Sequence, residues 1–112
     1  MTAALTPWTL LAVDDEPNIL AALRRVLRAT GWRILTAGHA QEALALLATE
    51  PIDAVLSDMR MPDMNGVQLL ERVGQRWPRT ARLLLTGPGA RGAGPAGQRR
   101  HAGYRAVDSL SS

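Results

Sequence analysis

Short apolar runs alternate with stretches of helical spacing along the first 86 residues, and that rhythm leaves few folds open. Trp8-Thr9-Leu10-Leu11-Ala12-Val13 is apolar, too short for a buried helix, and stops at Asp14-Asp15. It reads as a strand buried on both faces. Ile19, Leu20, Leu23, Val26 and Leu27 follow at helical spacing, with Pro17 where a first turn tolerates it and Gly31 where a helix end favours glycine. Trp32 to Ala37 is a second strand, and Ala40, Ala43, Leu44, Leu46 and Leu47 mark a second helix that Pro51 stops. Ile52 to Ser57 is a third strand ending at Asp58, and Val67, Leu69, Leu70 and Val73 mark a third helix closed before Pro78. Arg82 to Thr86 is a fourth strand. Strand and helix in strict alternation predict an α/β domain, a parallel sheet wound on both faces.

In such sheets ligands sit beyond the carboxyl ends of the strands, near the point where strand order reverses. Asp14 and Asp15 end the first strand, Asp58 the third and Thr86 the fourth. In a strand order 2-1-3-4 the first and third strands are neighbours, so the three Asp converge. Converging carboxylates repel one another, and a hard divalent cation relieves the repulsion. Mg²⁺ suits a few carboxylates plus waters and a phosphate oxygen, and leaves one carboxylate free to attack a phosphoryl group. Taken singly, each Asp has a plainer reading: Asp14-Asp15 as a cap for the first helix, and Asp58 as the start of a turn.

Composition narrows the choice. The 112 residues suffice for one domain, and the absence of Cys excludes disulfides and thiolate metal sites. No segment approaches the roughly 20 apolar residues of a membrane span, and the amino terminus lacks a basic leader, so a cytoplasmic protein is expected. All 13 basic residues are Arg. Residues 1–86 are neutral, and the net +3 lies in residues 87–112, where Arg91, Arg99, Arg100 and Arg105 face only Asp108. Residues 87–103 hold six Gly and two Pro, with no apolar side chain larger than Ala or Pro, and read as coil. Tyr104 to Leu110 reads at most as a short edge strand.

The blocks Val13-Asp14-Asp15-Glu16-Pro17, Ser57-Asp58-Met59-Arg60-Met61-Pro62-Asp63-Met64-Asn65-Gly66 and Leu83-Leu84-Leu85-Thr86-Gly87 resemble the signatures of bacterial response-regulator receiver domains. The resemblance spans Trp8 to Gly87. It implies a flavodoxin-like fold, with residues 1–87 as the receiver body and 88–112 as an atypical tail. It implies that Asp58 accepts a phosphoryl group from a sensor histidine kinase or a small phosphodonor. Asp15 and Asp58 would bind Mg²⁺ directly, Asp14 through water, and the backbone carbonyl of Arg60 would be a further ligand. Thr86 would bond the phosphoryl oxygen as a conformational switch, and Pro62 and Gly66 would shape the loop beside the acceptor.

The chain also departs from the family. A Lys normally ends the fifth strand, and this sequence has none; the guanidinium of Arg is no equivalent of a compact ammonium. The fifth strand and the last two helices are unrecognisable, as in a truncated or frameshifted receiver. The fourth strand is then expected at an exposed edge, open to self-association or domain swapping. Three other readings are weaker. One is a degenerate receiver that cannot switch. Another is a nucleic-acid binder using the basic tail, which has only Tyr104 for stacking. The third is a dehalogenase-type phosphatase, which wants an acid where Arg60 stands.

Overall fold

The computed structural model describes residues 7–85 and the backbone of residues 105–107. In chain order these form β1 (Thr9–Val13), α1 (Pro17–Leu27), a 3₁₀ turn (Arg28–Thr30), β2 (Arg33–Ala37), α2 (Ala40–Thr49), β3 (Ala54–Asp58), α3 (Gly66–Arg76), β4 (Ala81–Leu85) and β5 (Arg105–Val107). All pairings are parallel, and the sheet runs β2-β1-β3-β4-β5. The order 2-1-3-4 expected for the first four strands is the order found.

Burial on both faces explains why β1 is continuously apolar. Alternate side chains of a strand point to opposite sides. Leu11 and Val13, with Val55 and Leu84, join Ala43 and Leu47 of α2 and Leu69, Leu70 and Val73 of α3 in one core. Leu10 and Ala12, with Ala54, Leu56 and Leu85, pack with Leu23 of α1 in a second core on the other face. At the amino-terminal end of the sheet Asp53 ties three strands together. Its Oδ2 accepts from the Thr9 N–H at 2.8 Å, its N–H donates to Thr9 O, and its carbonyl accepts from the Ala81 N–H.

Local signals set the helix ends. Pro17 starts α1, and Gly31 sits at φ 79°, the left-handed region that a residue with a Cβ enters at a cost. α3 begins with a capping box: Asn65 Oδ1 accepts from the Gln68 N–H, and Gln68 Oε1 accepts from the Asn65 N–H.

The structure bears on two expectations about the tail. The short strand allowed for Tyr104 to Leu110 is present as Arg105–Val107, and it pairs with Leu83, Leu84 and Leu85. The fourth strand is therefore not the edge of the sheet, which removes the premise for self-association through it. An Arg does open the fifth strand, but Val107 closes it, so no basic residue stands at the carboxyl end where the family carries Lys.

Candidate functional site

The strand ends deliver Asp14, Asp15 and Asp58 to one place. β1 and β3 are neighbours in parallel register, Val13 against Ser57, so Asp14, just past β1, comes beside Asp58, the last residue of β3. One carboxylate oxygen from each Asp lies within 4.8 Å of the others. Asp14 is buried, Asp58 half-buried and Asp15 exposed. This gradient gives the cluster a floor, a wall and an open mouth.

The environments of the three acids differ. Asp14 Oδ1 accepts from the Glu16 N–H at 2.9 Å. Burial, opposed by that hydrogen bond and reinforced by Asp58, Asp15 and Glu16, pushes its carboxyl up to about 6. Burial likewise raises Asp58, against backbone N–H bonds from Met59 and Arg60, with Asp15 adding repulsion. Two neighbouring acids displaced in the same direction mark a site where negative charge is held at a cost. The capping explanation for Asp14-Asp15 does not hold. The N-cap of α1 is Glu16, and no side chain caps that helix.

The loop after Asp58 is closed at its base by the Gly66 N–H donating to Met59 O at 2.7 Å. A Cβ on Gly66 would collide with the Asp58 carbonyl and the Leu84 side chain, so the first residue of α3 backs directly onto the end of β3. Gly66→Ala is expected to destabilise the fold by about 3 kcal/mol, as overpacking against backbone does. A fall in the urea midpoint without a change of slope checks it.

Among the predicted site residues, Asp14, Asp15 and Asp58 come together, and Arg60 lies two residues on in the same loop. Thr86 lies outside the described residues. Asp63 received no role in the sequence reading, yet it makes more long-range bonds than any other residue of the loop. Its partners are Ala40 and Gln41, and a link across 22 or 23 residues leaves no trace in a linear pattern.

A family model described as the response regulator receiver domain matches residues 10–99. This chain belongs to the response regulator receiver family. The receiver is 44% identical over 79 residues to the hydrogenase transcriptional regulatory protein HoxA of Cupriavidus necator, covering 70% of this chain and 16% of the relative. It is 40% identical over 80 residues to the response regulator protein PilR of Pseudomonas aeruginosa, covering 71% of this chain and 18% of the relative. It thus spans less than a fifth of the length of these regulators. Among solved structures it resembles the signal receiver domain of an HD domain-containing protein from Pseudomonas fluorescens, with TM-score 0.81, 33% identity and coverage of 95% and 79% of the two chains. It also resembles the response regulator TrrA of Thermotoga maritima in complex with Mg(2+)-BeF, with TM-score 0.81, 28% identity and coverage of 94% and 89%. Among the described residues no helix of the receiver is long and apolar enough to cross a membrane.

Proposed function

We propose that this receiver accepts a phosphoryl group on Asp58 in a Mg²⁺-dependent reaction. The donor is a sensor histidine kinase or a small phosphodonor, and the domain acts in the cytoplasm as a signalling module. The observation that carries this reading is the meeting of three carboxylates within 4.8 Å at adjacent strand ends, one of them buried and pushed up to about 6. Such a cluster is under-neutralised by the protein itself. Its all-oxygen donor set fits a hard cation, and the relative solved with Mg(2+)-BeF lends support.

Asp15 and Asp58 would hold the ion directly, Asp14 through water, and the Arg60 carbonyl would complete the protein ligands. When bound, Mg²⁺ supplies positive charge that offsets the incoming phosphoryl oxygens. Asp58 offers a carboxylate oxygen to phosphorus. That P–O bond forms as the bond to the donor's imidazole nitrogen or acetyl oxygen breaks, and the leaving group takes the electron pair. The Thr86 hydroxyl would then bond a phosphoryl oxygen and carry the switch. With no Lys in the chain, the ion bears more of the neutralisation, and dependence on Mg²⁺ is correspondingly steep.

Intact mass after incubation with acetyl phosphate tests the reading. One phosphoryl group is expected with Mg²⁺ and none after chelation. A wild type that gains nothing in the presence of Mg²⁺ overturns it.

A further inference from the structure

We infer that Asp63 is a positioning residue: it clamps the loop that carries Asp58 and Arg60 to the amino terminus of α2, and so holds the metal-binding geometry. This role rests on the proposed use of Asp58. The loop leaves β3 at Asp58 and re-enters regular structure at Gly66. Its base is closed by the Gly66–Met59 bond. Its far end is held by the carboxylate of Asp63, and both oxygens are engaged. Oδ1 accepts from the Ala40 N–H at 3.1 Å and the Met64 N–H at 3.0 Å, and Oδ2 accepts from the Gln41 N–H at 2.9 Å. The His39 ring, 3.5 Å from Oδ2, stands beside them.

Helix N-termini leave their first N–H groups without intrahelical partners. The N-cap of α2 is His39, whose Nδ1 accepts from the Glu42 N–H at 3.3 Å. The two preceding donors, on Ala40 and Gln41, are satisfied from a different element by Asp63. The positive end of the helix dipole adds to the attraction. These backbone bonds, working against burial, hold the Asp63 carboxyl below the usual carboxylate range.

Arg60 lies between the strand end at Asp58 and this clamp, with Pro62 restricting the chain just before Asp63. Cutting the clamp leaves the segment Met59 to Pro62 with the bond at its base, the Met59 and Arg60 N–H bonds to Asp58 and the packing of Met59 and Met61 on the core, but without its anchor to α2. The position of the Arg60 carbonyl relative to Asp58 then becomes loose. Partners one step removed from a metal ligand typically change affinity by about 10- to 100-fold when lost.

The test is a Mg²⁺ titration by calorimetry on the wild type, Asp63→Ala, Asp63→Asn and Leu47→Ala, with amide exchange of residues 59–64 measured alongside. Asp63→Ala is expected to weaken Mg²⁺ binding about tenfold and to speed exchange in the loop. Asp63→Asn keeps an acceptor for Ala40 and Met64 but not for Gln41, and should fall between; it also serves if the Ala variant does not fold. Leu47→Ala, which loosens α2 from its core side, should lower the melting temperature and leave Mg²⁺ affinity unchanged. Wild-type affinity and exchange in both Asp63 variants would overturn the inference and leave the Asp58 reading standing. A wild type that takes up no phosphoryl group, yet loses Mg²⁺ affinity when the clamp is cut, would overturn the Asp58 reading and retain the clamp. A wild type that binds no Mg²⁺ overturns both.

Discussion

Asp58→Ala is expected to take up no phosphoryl group from acetyl phosphate, with or without Mg²⁺, where the wild type is expected to gain one. Of the three clustered acids, only Asp58 combines a position at the end of β3 with partial exposure. Asp14 is buried and has one oxygen engaged with the Glu16 N–H, and Asp15 sits at the exposed rim. Neither is placed to substitute as nucleophile. The loss is not expected to come from unfolding. Burial raises the Asp58 carboxyl and Asp15 repels it, so in the absence of Mg²⁺ its charge opposes folding at neutral pH. Removing that charge leaves the metal-free protein at least as resistant to heat as the wild type. Intact mass and a melting curve on one sample check both halves. A variant that still gains one phosphoryl group would place the acceptor elsewhere.

Asp14→Asn is expected to stabilise the metal-free protein and to abolish most of its stabilisation by Mg²⁺. The sign follows from the direction of the pKa. In the folded state the Asp14 carboxyl is raised from 3.8 to about 6. Folding therefore favours its protonated form. That contribution is fully present below pH about 4 and is lost as pH rises through about 6. By linkage the loss approaches about 3 kcal/mol at neutral pH. Asn is neutral throughout and still offers Oδ1 to the Glu16 N–H, so the variant lacks this pH-dependent loss. Urea unfolding in chelator should show the two proteins equal near pH 4, with Asp14→Asn ahead by about 2 to 3 kcal/mol at pH 7. Adding Mg²⁺ should narrow or reverse the gap, because the ion stabilises the state that binds it. Equal stability at pH 7 in chelator would show that Asp14 is not held at a cost.

The fold was legible because its signals are local and redundant. β1 reads as a strand buried on both faces from Leu10 to Val13 alone, and Pro17 and Gly31 punctuate the first helix through backbone chemistry within a few residues. The placement of the three Asp followed from parallel winding, since residues after adjacent strands must meet. What escaped the sequence was non-local. Tyr104 to Leu110 reads as a short edge strand at most, but the pairing of Arg105–Val107 with Leu83–Leu85 reaches across a stretch that carries no periodicity, so nothing local points to the partner.

The same division runs through the site. Residue identity and order fix which side chains are available: three Asp at strand ends, no Cys, no Lys, and a glycine at position 66. Their order along alternating strands and helices also settled on which end of the sheet they lie. How they differ follows from packing in three dimensions. Burial singles out Asp14 as the acid held at about 6, close backbone approach leaves no room for a Cβ at Gly66, and the α2 terminus turns Asp63 from a loop residue into a clamp. Each of these depends on atoms brought near by chain segments far apart in sequence. Desolvation, steric contact and unpaired helix donors act through space, and residue spacing along the chain does not encode them.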